Sequence, residues 1–172
     1  MPLVRYATGG YICASPFPYD GIFRRAVLNF KFHNCGAYAE LLSHEMVRSI
    51  KDVYRDRKFD LVTCVPMHKD TLRERGYNQA ELLAKECARL LGIEYADLLV
   101  KTKKNKTQHS IKAAERAKNV IGVYSPIDKN LIKGKRILII DDIITTGSTL
   151  GECARILNKC KCGEICCCTL CT

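Results

Sequence analysis

Residues 136–157, RILIIDDIITTGSTLGECARIL, join a short aliphatic run to a small polar string and then to an amphipathic segment. The run Ile137 to Ile140 predicts a buried strand, and a helix is expected from about Ser148 to Lys159. Asp141 and Asp142 stand where the strand ends. Two neighbouring carboxylates repel each other and are costly to desolvate. We therefore expect a cation, or a group with several hydroxyls, beside them.

The segment that follows the acidic pair has the composition of a phosphate-binding loop. In an open parallel sheet, ligands bind beyond the carboxyl ends of the strands. The free N–H groups and the dipole at a helix N-terminus favour a phosphate there. A ribose diol could donate hydrogen bonds to both carboxylates, with Mg²⁺ nearby, so the pattern predicts a ribose 5-phosphate ligand. The expected phosphate ligands are Thr145, Thr146, Gly147, Ser148 and Thr149, with the glycine permitting close backbone approach.

Two other interpretations of this stretch are less favoured. A strand that ends in an acidic pair also resembles the Walker-B strand of an ATPase. That interpretation requires a GxxxxGK[ST] loop upstream, and the sequence contains none. A purely structural strand–turn–helix would have no use for two acids at the end of a buried strand.

The rest of the chain predicts alternating strands and helices, which is typical of a mostly parallel α/β sheet flanked by helices. Residues 1–19 show no clear period, and residues 67–77 are interpreted as a polar loop. Asn78 is expected to cap a helix that Gly92 ends. Helices are predicted from Asp20, over 37–54, 79–91 and 148–159; strands are predicted over 59–65, 96–100, 119–124, 136–141 and 164–170.

Length and charge set the broad class. A chain of 172 residues with 47% hydrophobic residues predicts one domain, 1–172, with a sizeable core. No aliphatic run is long enough to cross a bilayer and no secretory signal is evident, so we expect a cytoplasmic protein without membrane insertion. The formal net charge of +10 favours polyanionic partners. Residues 101–118 are strongly basic, either as a solvated loop or as an anion-binding segment.

Six of the eleven cysteines lie between Cys160 and Cys171. Their spacing matches no paired CxxC array of a metal site. Adjacent residues on a strand point to opposite faces, so Cys166, Cys167 and Cys168 cannot all converge on one ion. We therefore interpret them as small apolar residues of a last strand, with metal binding as the less favoured alternative.

The stretch ILIIDDIITTGST resembles the phosphoribosyl pyrophosphate (PRPP) signature of type I phosphoribosyltransferases. Together with CVPMHKDTLRERGYNQAELLA and the loosely spaced Gln108, Arg116 and Asn119, it resembles the ComF family of competence-associated proteins. The resemblance extends from about Tyr11 to Leu170 and implies the type I phosphoribosyltransferase fold. Longer members begin with a four-cysteine zinc ribbon, and because only Cys13 precedes Cys35, we expect that ribbon to be absent here.

The resemblance implies roles for particular residues. Asp141 and Asp142 would hold the ribose and stabilise the positive charge that develops there, while Mg²⁺ would be held mainly through PRPP. Residues 102–118 would form a mobile basic hood from which Arg116 closes over the site. The candidates for binding pyrophosphate are Arg73, Arg75 and Lys101, and the weaker candidates for binding the acceptor are Tyr77, Asn78 and Gln108.

Two functional hypotheses remain open. The first is a Mg²⁺-dependent phosphoribosyltransferase with an unknown acceptor, linked to DNA uptake or nucleotide metabolism. The second is a catalytically silent accessory protein that senses PRPP or a nucleotide and binds single-stranded DNA or a DNA-uptake ATPase. Its DNA contacts are expected at Lys101, Lys103, Lys104 and Lys106. A homodimer is considered under either hypothesis.

Overall fold

A six-stranded, mostly parallel sheet forms the centre of the molecule in a computed structural model, which describes residues 1–32, 36–103 and 120–172. The strand order is β1-β2-β8-β7-β3-β4, and β5 and β6 form a separate antiparallel pair. The predicted α/β class is thereby confirmed. The strands are β1 (Leu3–Ala7), β2 (Tyr11–Ser15), β3 (Leu61–Cys64), β4 (Glu94–Tyr95), β5 (Leu99–Lys101), β6 (Tyr124–Pro126), β7 (Arg136–Ile143) and β8 (Glu164–Cys171). The helices are α1 (Gly21–Phe32), α2 (Gly36–Tyr54), α3 (Lys69–Arg75), α4 (Gln79–Leu91), α5 (Lys129–Ile132) and α6 (Ser148–Lys159).

The central strand β7 lies between β3 and β8, and both pairings are parallel. Residues 137–140 are fully buried because helices cover both faces of the sheet. Leu138 and Ile140 pack in the cluster that includes α2 and α4, whereas Ile137 and Ile139 pack in the cluster that includes α6. Because β3 and β7 are parallel, their carboxyl ends lie together at one end of the sheet, and the acidic pair lies there.

Residues 1–19 form an antiparallel hairpin that the sequence did not predict. Strand β1 pairs with β2, and β2 pairs in parallel with β8, so the hairpin extends the sheet at one edge. Four of the five residues of β1 are exposed. Because β1 has no buried face over most of its length, the alternation that predicts a strand is missing from its sequence.

The segment predicted as a polar loop, residues 67–77, contains the helix α3. His68 caps its N-terminus by accepting a hydrogen bond from the Asp70 N–H, and Gly76 ends it in the left-handed conformation. None of its seven residues is buried. A helix without a buried face leaves no hydrophobic period to detect.

Two predicted strands near the basic segment are displaced. Of the run predicted at 96–100, only residues 99 and 100 lie in a strand, β5, and the strand predicted at 119–124 begins only at Tyr124. Lys101 of β5 pairs with Tyr124 of β6. Most of the hood predicted at 102–118 lies outside the described residues, because the structure does not describe 104–119, and Arg116 and Gln108 fall in that range.

The cysteines of β8 belong to the core. Cys166 and Cys168 pack in the cluster on one face and Cys167 in the cluster on the other, which confirms the predicted alternation. Across residues 1–32, 36–103 and 120–172, no three His, Cys, Asp or Glu side chains are grouped so that they could hold a metal ion. In the same part of the chain, no helix is both long and apolar enough to cross a membrane.

Candidate functional site

The acidic pair lies in the last third of β7, where the strand leaves the core. Asp141 is paired with Thr169 of β8, and both carboxylates belong to half-exposed residues. The backbone N–H of Asp142 donates to Asp141 Oδ1 at 2.9 Å. Since successive residues of a strand point to opposite faces, the two carboxylates lie on either side of the strand end. A ligand placed over this end can contact both.

A cleft of about 240 Å³ opens beside the acidic pair. Its walls come from the end of β3, the two helices α3 and α4, and the β5–β6 pair. Basic, acidic and hydroxyl side chains converge in it. The lining residues include His68, Arg75, Asn78, Lys101, Tyr124, Asp141, Asp142 and Thr149. The cleft therefore offers both cations and anions to a polar ligand.

A second, smaller cavity of about 40 Å³ lies against residues 143–150 and shares Asp141 and Thr149 with the cleft. Thr145 and Thr146 are exposed, and the hydroxyls of Thr146 and Ser148 lie 2.9 Å apart. Helix α6 begins at Ser148 and has no side-chain cap from Gly147. The first-turn N–H groups of α6 thus face a pocket of hydroxyls, which is suited to a phosphate group.

Gly147 is required by the protein's own packing. Its φ is 71°, and a Cβ at this position would lie 2.6 Å from Ala7 Cα. The backbone N–H of Thr8 donates to Gly147 O at 3.2 Å. The sequence attributed the glycine to the approach of a ligand, whereas the close approach in the structure is that of the β1–β2 turn.

Of the three predicted pyrophosphate ligands, two line the cleft. The Lys101 ammonium lies 5.6 Å from the centre of the Tyr124 ring. Burial lowers the pKa of Lys101, and the attraction of Asp141 offsets only part of this effect. Arg75 Nη1 donates to Gln79 Oε1 at 2.8 Å. Arg73 is exposed on α3 and does not line the cleft.

The acceptor candidates are less well placed. Asn78 lines the cleft, but its amide is used structurally: Oδ1 accepts from the Ala80 N–H at 3.2 Å, and Nδ2 donates to Val65 O at 3.1 Å. Tyr77 is half-buried and is not a lining residue. The third candidate, Gln108, lies in the part of the chain that the structure does not describe.

The sequence did not single out His68 and Tyr124 as cleft residues. His68 is 9% exposed, and its Nδ1 accepts a hydrogen bond from the Asp70 N–H at 3.3 Å. In the neutral imidazole this arrangement puts the proton on Nε2. Tyr124 is brought into the cleft by its pairing with Lys101 across the β5–β6 sheet. The only sequence feature that could have indicated His68 was its place next to a predicted strand end. No sequence feature indicated that Tyr124 would lie in the cleft.

Comparison with known proteins finds a matching family model and several similar sequences. Residues 78–172 match the model of the phosphoribosyl transferase domain. The chain is 33% identical over 144 residues to competence protein F of Haemophilus influenzae, which covers 81% of this chain and 63% of that protein. It is 31% identical over 152 residues to competence protein ComFC of Bacillus subtilis, covering 88% and 60%.

A third relative is DNA utilization protein YhgH of Escherichia coli, 30% identical over 101 residues, covering 58% of this chain and 44% of that protein. The chain thus spans only part of the length of these curated relatives. Among solved structures, it is similar to the glutamine PRPP amidotransferase of B. subtilis, with a TM-score of 0.54 and 17% identity over 81% of this chain and 29% of that one. That likeness establishes the fold.

Proposed function

The chain belongs to the phosphoribosyl transferase domain family, in its ComF branch, and on that premise we propose that it binds PRPP at the carboxyl end of β7. The observation that carries the proposal is that two cavities share lining residues. A small pocket at the start of α6 and a polar cleft share Asp141 and Thr149. A ligand with a phosphate at one end and a second anionic group at the other would occupy both.

Each part of PRPP has a counterpart among the described residues. Residues 145–149 would bind the 5-phosphate through hydroxyls and N–H groups. Asp141 and Asp142 would accept hydrogen bonds from the ribose hydroxyls, and Lys101 and Arg75 would bind the pyrophosphate. The oxygen donors of the acidic pair are also of the type that Mg²⁺ prefers. When bound, the magnesium ion would neutralise charge on the pyrophosphate.

We propose phosphoribosyl transfer as the reaction. The bond between C1 of the ribose and the pyrophosphate oxygen breaks, and an acceptor nucleophile forms a bond to C1 while pyrophosphate leaves with the bonding electron pair. Positive charge develops on the ribose, and Asp141 and Asp142 would stabilise it electrostatically. The cations of the cleft would hold the leaving group in position. The acceptor is not identified by the residues that line the cleft.

Thermal unfolding with and without Mg²⁺-PRPP tests the binding proposal. At 100 times its dissociation constant, a ligand adds about 2.7 kcal/mol to the free energy of unfolding. For a domain of this size, the melting temperature should rise by roughly 5 to 11 °C. The double variant Asp141→Asn/Asp142→Asn should lose this shift while melting cooperatively on its own.

The double variant Asp52→Asn/Asp56→Asn is a matched control, because it removes two exposed carboxylates near the end of α2 and in the loop that follows. It should keep the full ligand-induced shift. A wild-type protein that shows no shift at millimolar Mg²⁺-PRPP, or an equal shift in the acidic-pair variant, would contradict the proposed site. Production of pyrophosphate in the presence of candidate acceptors then tests the transfer step separately.

A second candidate function, binding of single-stranded DNA by an accessory protein, is favoured by the charge of the chain. The formal net charge is +10, and the relatives carry names that refer to competence and DNA utilization. The sequence placed this function on Lys101, Lys103, Lys104 and Lys106. Lys101 lines the cleft beside the acidic pair, and Lys104 and Lys106 lie outside the described residues.

A further inference from the structure

A cleft at the opposite end of the strands, where β7 begins, is not used by the proposed reaction. Its volume is about 370 Å³, and its residues come from the end of α2, the segment before β3, the end of α4 and the start of β7. Arg136 lines it at the first position of β7. The acidic pair lies five to six residues further along the same strand, about 20 Å away at the rise of a β-strand. We call this cavity the basic cleft.

All the charged residues that line the basic cleft are cationic: Lys51, Arg55, Arg57, Lys58 and Arg136. Two of the arginines are held by carboxylates. Arg136 donates to both oxygens of Asp60, at 2.6 and 3.0 Å, and Arg57 pairs with Glu164.

The other three cations are exposed. Among the ion pairs of the described residues, none involves Lys51, Arg55 or Lys58. These three side chains are therefore able to meet an anion from solution.

The floor of the basic cleft is apolar and partly aromatic. Phe59 is half-buried and lies edge-on to Tyr54, with ring centres 5.8 Å apart and an interplanar angle of 88°. The hydroxyl of Tyr54 lies 2.6 Å from Cys167 O, which fixes this ring against the sheet. A rigid aromatic surface framed by cations has the chemistry that binds an unpaired base together with its phosphates.

The positive charge continues beyond the cavity along the same edge. Gly134 N donates to Lys161 O and Gly163 N donates to Lys135 O, both at 2.8 Å, so residues 133–136 and 159–164 lie side by side. The ranges 51–60, 133–136 and 159–164 contain nine Lys or Arg against four Asp or Glu, an excess equal to half of the net charge of +10. One mononucleotide would meet only part of this band, whereas a strand with several phosphates would follow it.

We propose that the basic cleft binds single-stranded nucleic acid, with a base against Phe59 and the backbone phosphates at Lys51, Arg55 and Lys58. A duplex does not fit this description, because its bases are paired and stacked and cannot reach the floor of the cleft. The inference rests on the second candidate function for its partner and is independent of PRPP binding. It assigns the nucleic acid to the end of the sheet where β7 begins, and the acidic pair lies at the other end of that strand.

Fluorescence anisotropy with a labelled oligo-dT, at several salt concentrations and without PRPP, tests the assignment. The variant Lys51→Ala/Arg55→Ala/Lys58→Ala should bind about tenfold more weakly or worse at low salt. Its salt slope should fall by about 2, since each phosphate contact on a single strand contributes about 0.7 to the slope. Phe59→Leu keeps an apolar side chain but removes the ring, and it should weaken binding about fivefold or more.

The matched control is Arg5→Ala/Arg24→Ala/Arg25→Ala, which removes three exposed cations from β1 and α1. It should bind the oligonucleotide within about twofold of the wild type, because general electrostatic attraction changes little at moderate salt. The variants of the basic cleft should keep the Mg²⁺-PRPP shift in melting temperature, which shows that they are folded.

Three results would overturn the assignment. Unchanged affinity in the triple cleft variant would show that DNA binds elsewhere, and the second candidate function would stand without this surface. Absence of oligonucleotide binding by the wild type at low salt would contradict both the assignment to the basic cleft and the second candidate function. Equal affinity for dTMP and for the oligonucleotide would show a mononucleotide site instead of a strand-binding surface.

Discussion

At the scale of the residue, the burial of Lys101 affects the stability of the free protein. Burial lowers its pKa, which means that the charged ammonium is less favourable in the folded protein than in the unfolded chain. At neutral pH the folded state therefore carries a cost for keeping Lys101 charged. This cost fades only as the pH rises past the folded-state pKa toward the unfolded value. A pyrophosphate in the cleft would compensate it.

The substitution Lys101→Met should therefore raise the melting temperature of the free protein and weaken PRPP binding. We expect affinity to fall about tenfold to a hundredfold, since a hydrogen bond to a charged group contributes about 1.5–3 kcal/mol. Lys103→Met is the matched control, because Lys103 is exposed and does not line the cleft. It should leave both quantities nearly unchanged. Lower stability of the free Lys101→Met protein would contradict the cost of burial.

The acidic pair and the hydroxyl-rich loop could be predicted because they are contiguous in the sequence and their residue types suit one ligand. His68 and Tyr124 could not be predicted in the same way, since helix α3 and the β5–β6 pair bring them to the cleft from separate parts of the chain. Arg73 shows the converse. It stands two residues from Arg75, but of these two arginines only Arg75 lines the cleft.

At the scale of the element, the β1–β2 hairpin supports the proposed phosphate loop. A Cβ on Gly147 would meet Ala7 Cα at 2.6 Å, and one on Gly151 of α6 would meet Thr8 O at 2.3 Å. The hairpin turn therefore packs directly on the start of α6. The sequence shows these glycines but not their partners, because the contact joins segments about 140 residues apart.

Comparison of Gly147→Ala with Gly76→Ala should isolate this contact. Both glycines have positive φ, 71° and 85°, but a Cβ on Gly76 would meet nothing within 4 Å. Both variants should lose about 1–2 kcal/mol from the left-handed backbone conformation. Gly147→Ala should lose about 1–3 kcal/mol more from overpacking against β1. Urea denaturation of the two variants measures the difference.

Equal losses in the two glycine variants would show that the hairpin does not press on the loop. In that case the sequence-based explanation, close approach of a ligand to Gly147, would be the better one. Binding of Mg²⁺-PRPP by Gly147→Ala then distinguishes the two further. If the glycine serves packing alone, the folded fraction of the variant should bind the ligand with a small loss of affinity.

At the scale of the whole molecule, the cysteines form part of a core that spans both faces of the sheet. Of the ten described cysteines, nine are buried and Cys162 is half-buried. Burial raises the pKa of Cys13 and Cys64 to about 12 and that of Cys166 to about 11. The sequence indicated this structural role because Cys166, Cys167 and Cys168 are consecutive and must point to alternate faces of a strand. It could not show that Cys13 of β2 lies beside Cys167 of β8 as its partner in the strand register.

Alkylation of the native protein should therefore be selective. Among the described cysteines, Cys162 should react first with iodoacetamide at pH 8.5, although burial also raises the pKa of its thiol. The buried nine should react only in denaturant, because the reagent cannot reach a thiol that is shielded from solvent. Peptide mapping by mass spectrometry measures the labelling at each site, and Cys162→Ser is the control that removes the reactive thiol. Rapid labelling of Cys166, Cys167 or Cys168 in the folded protein would show that β8 is not sealed in the core. The packing on which the acidic pair of β7 depends would then need another explanation, since β8 is one of the two strands that hold it.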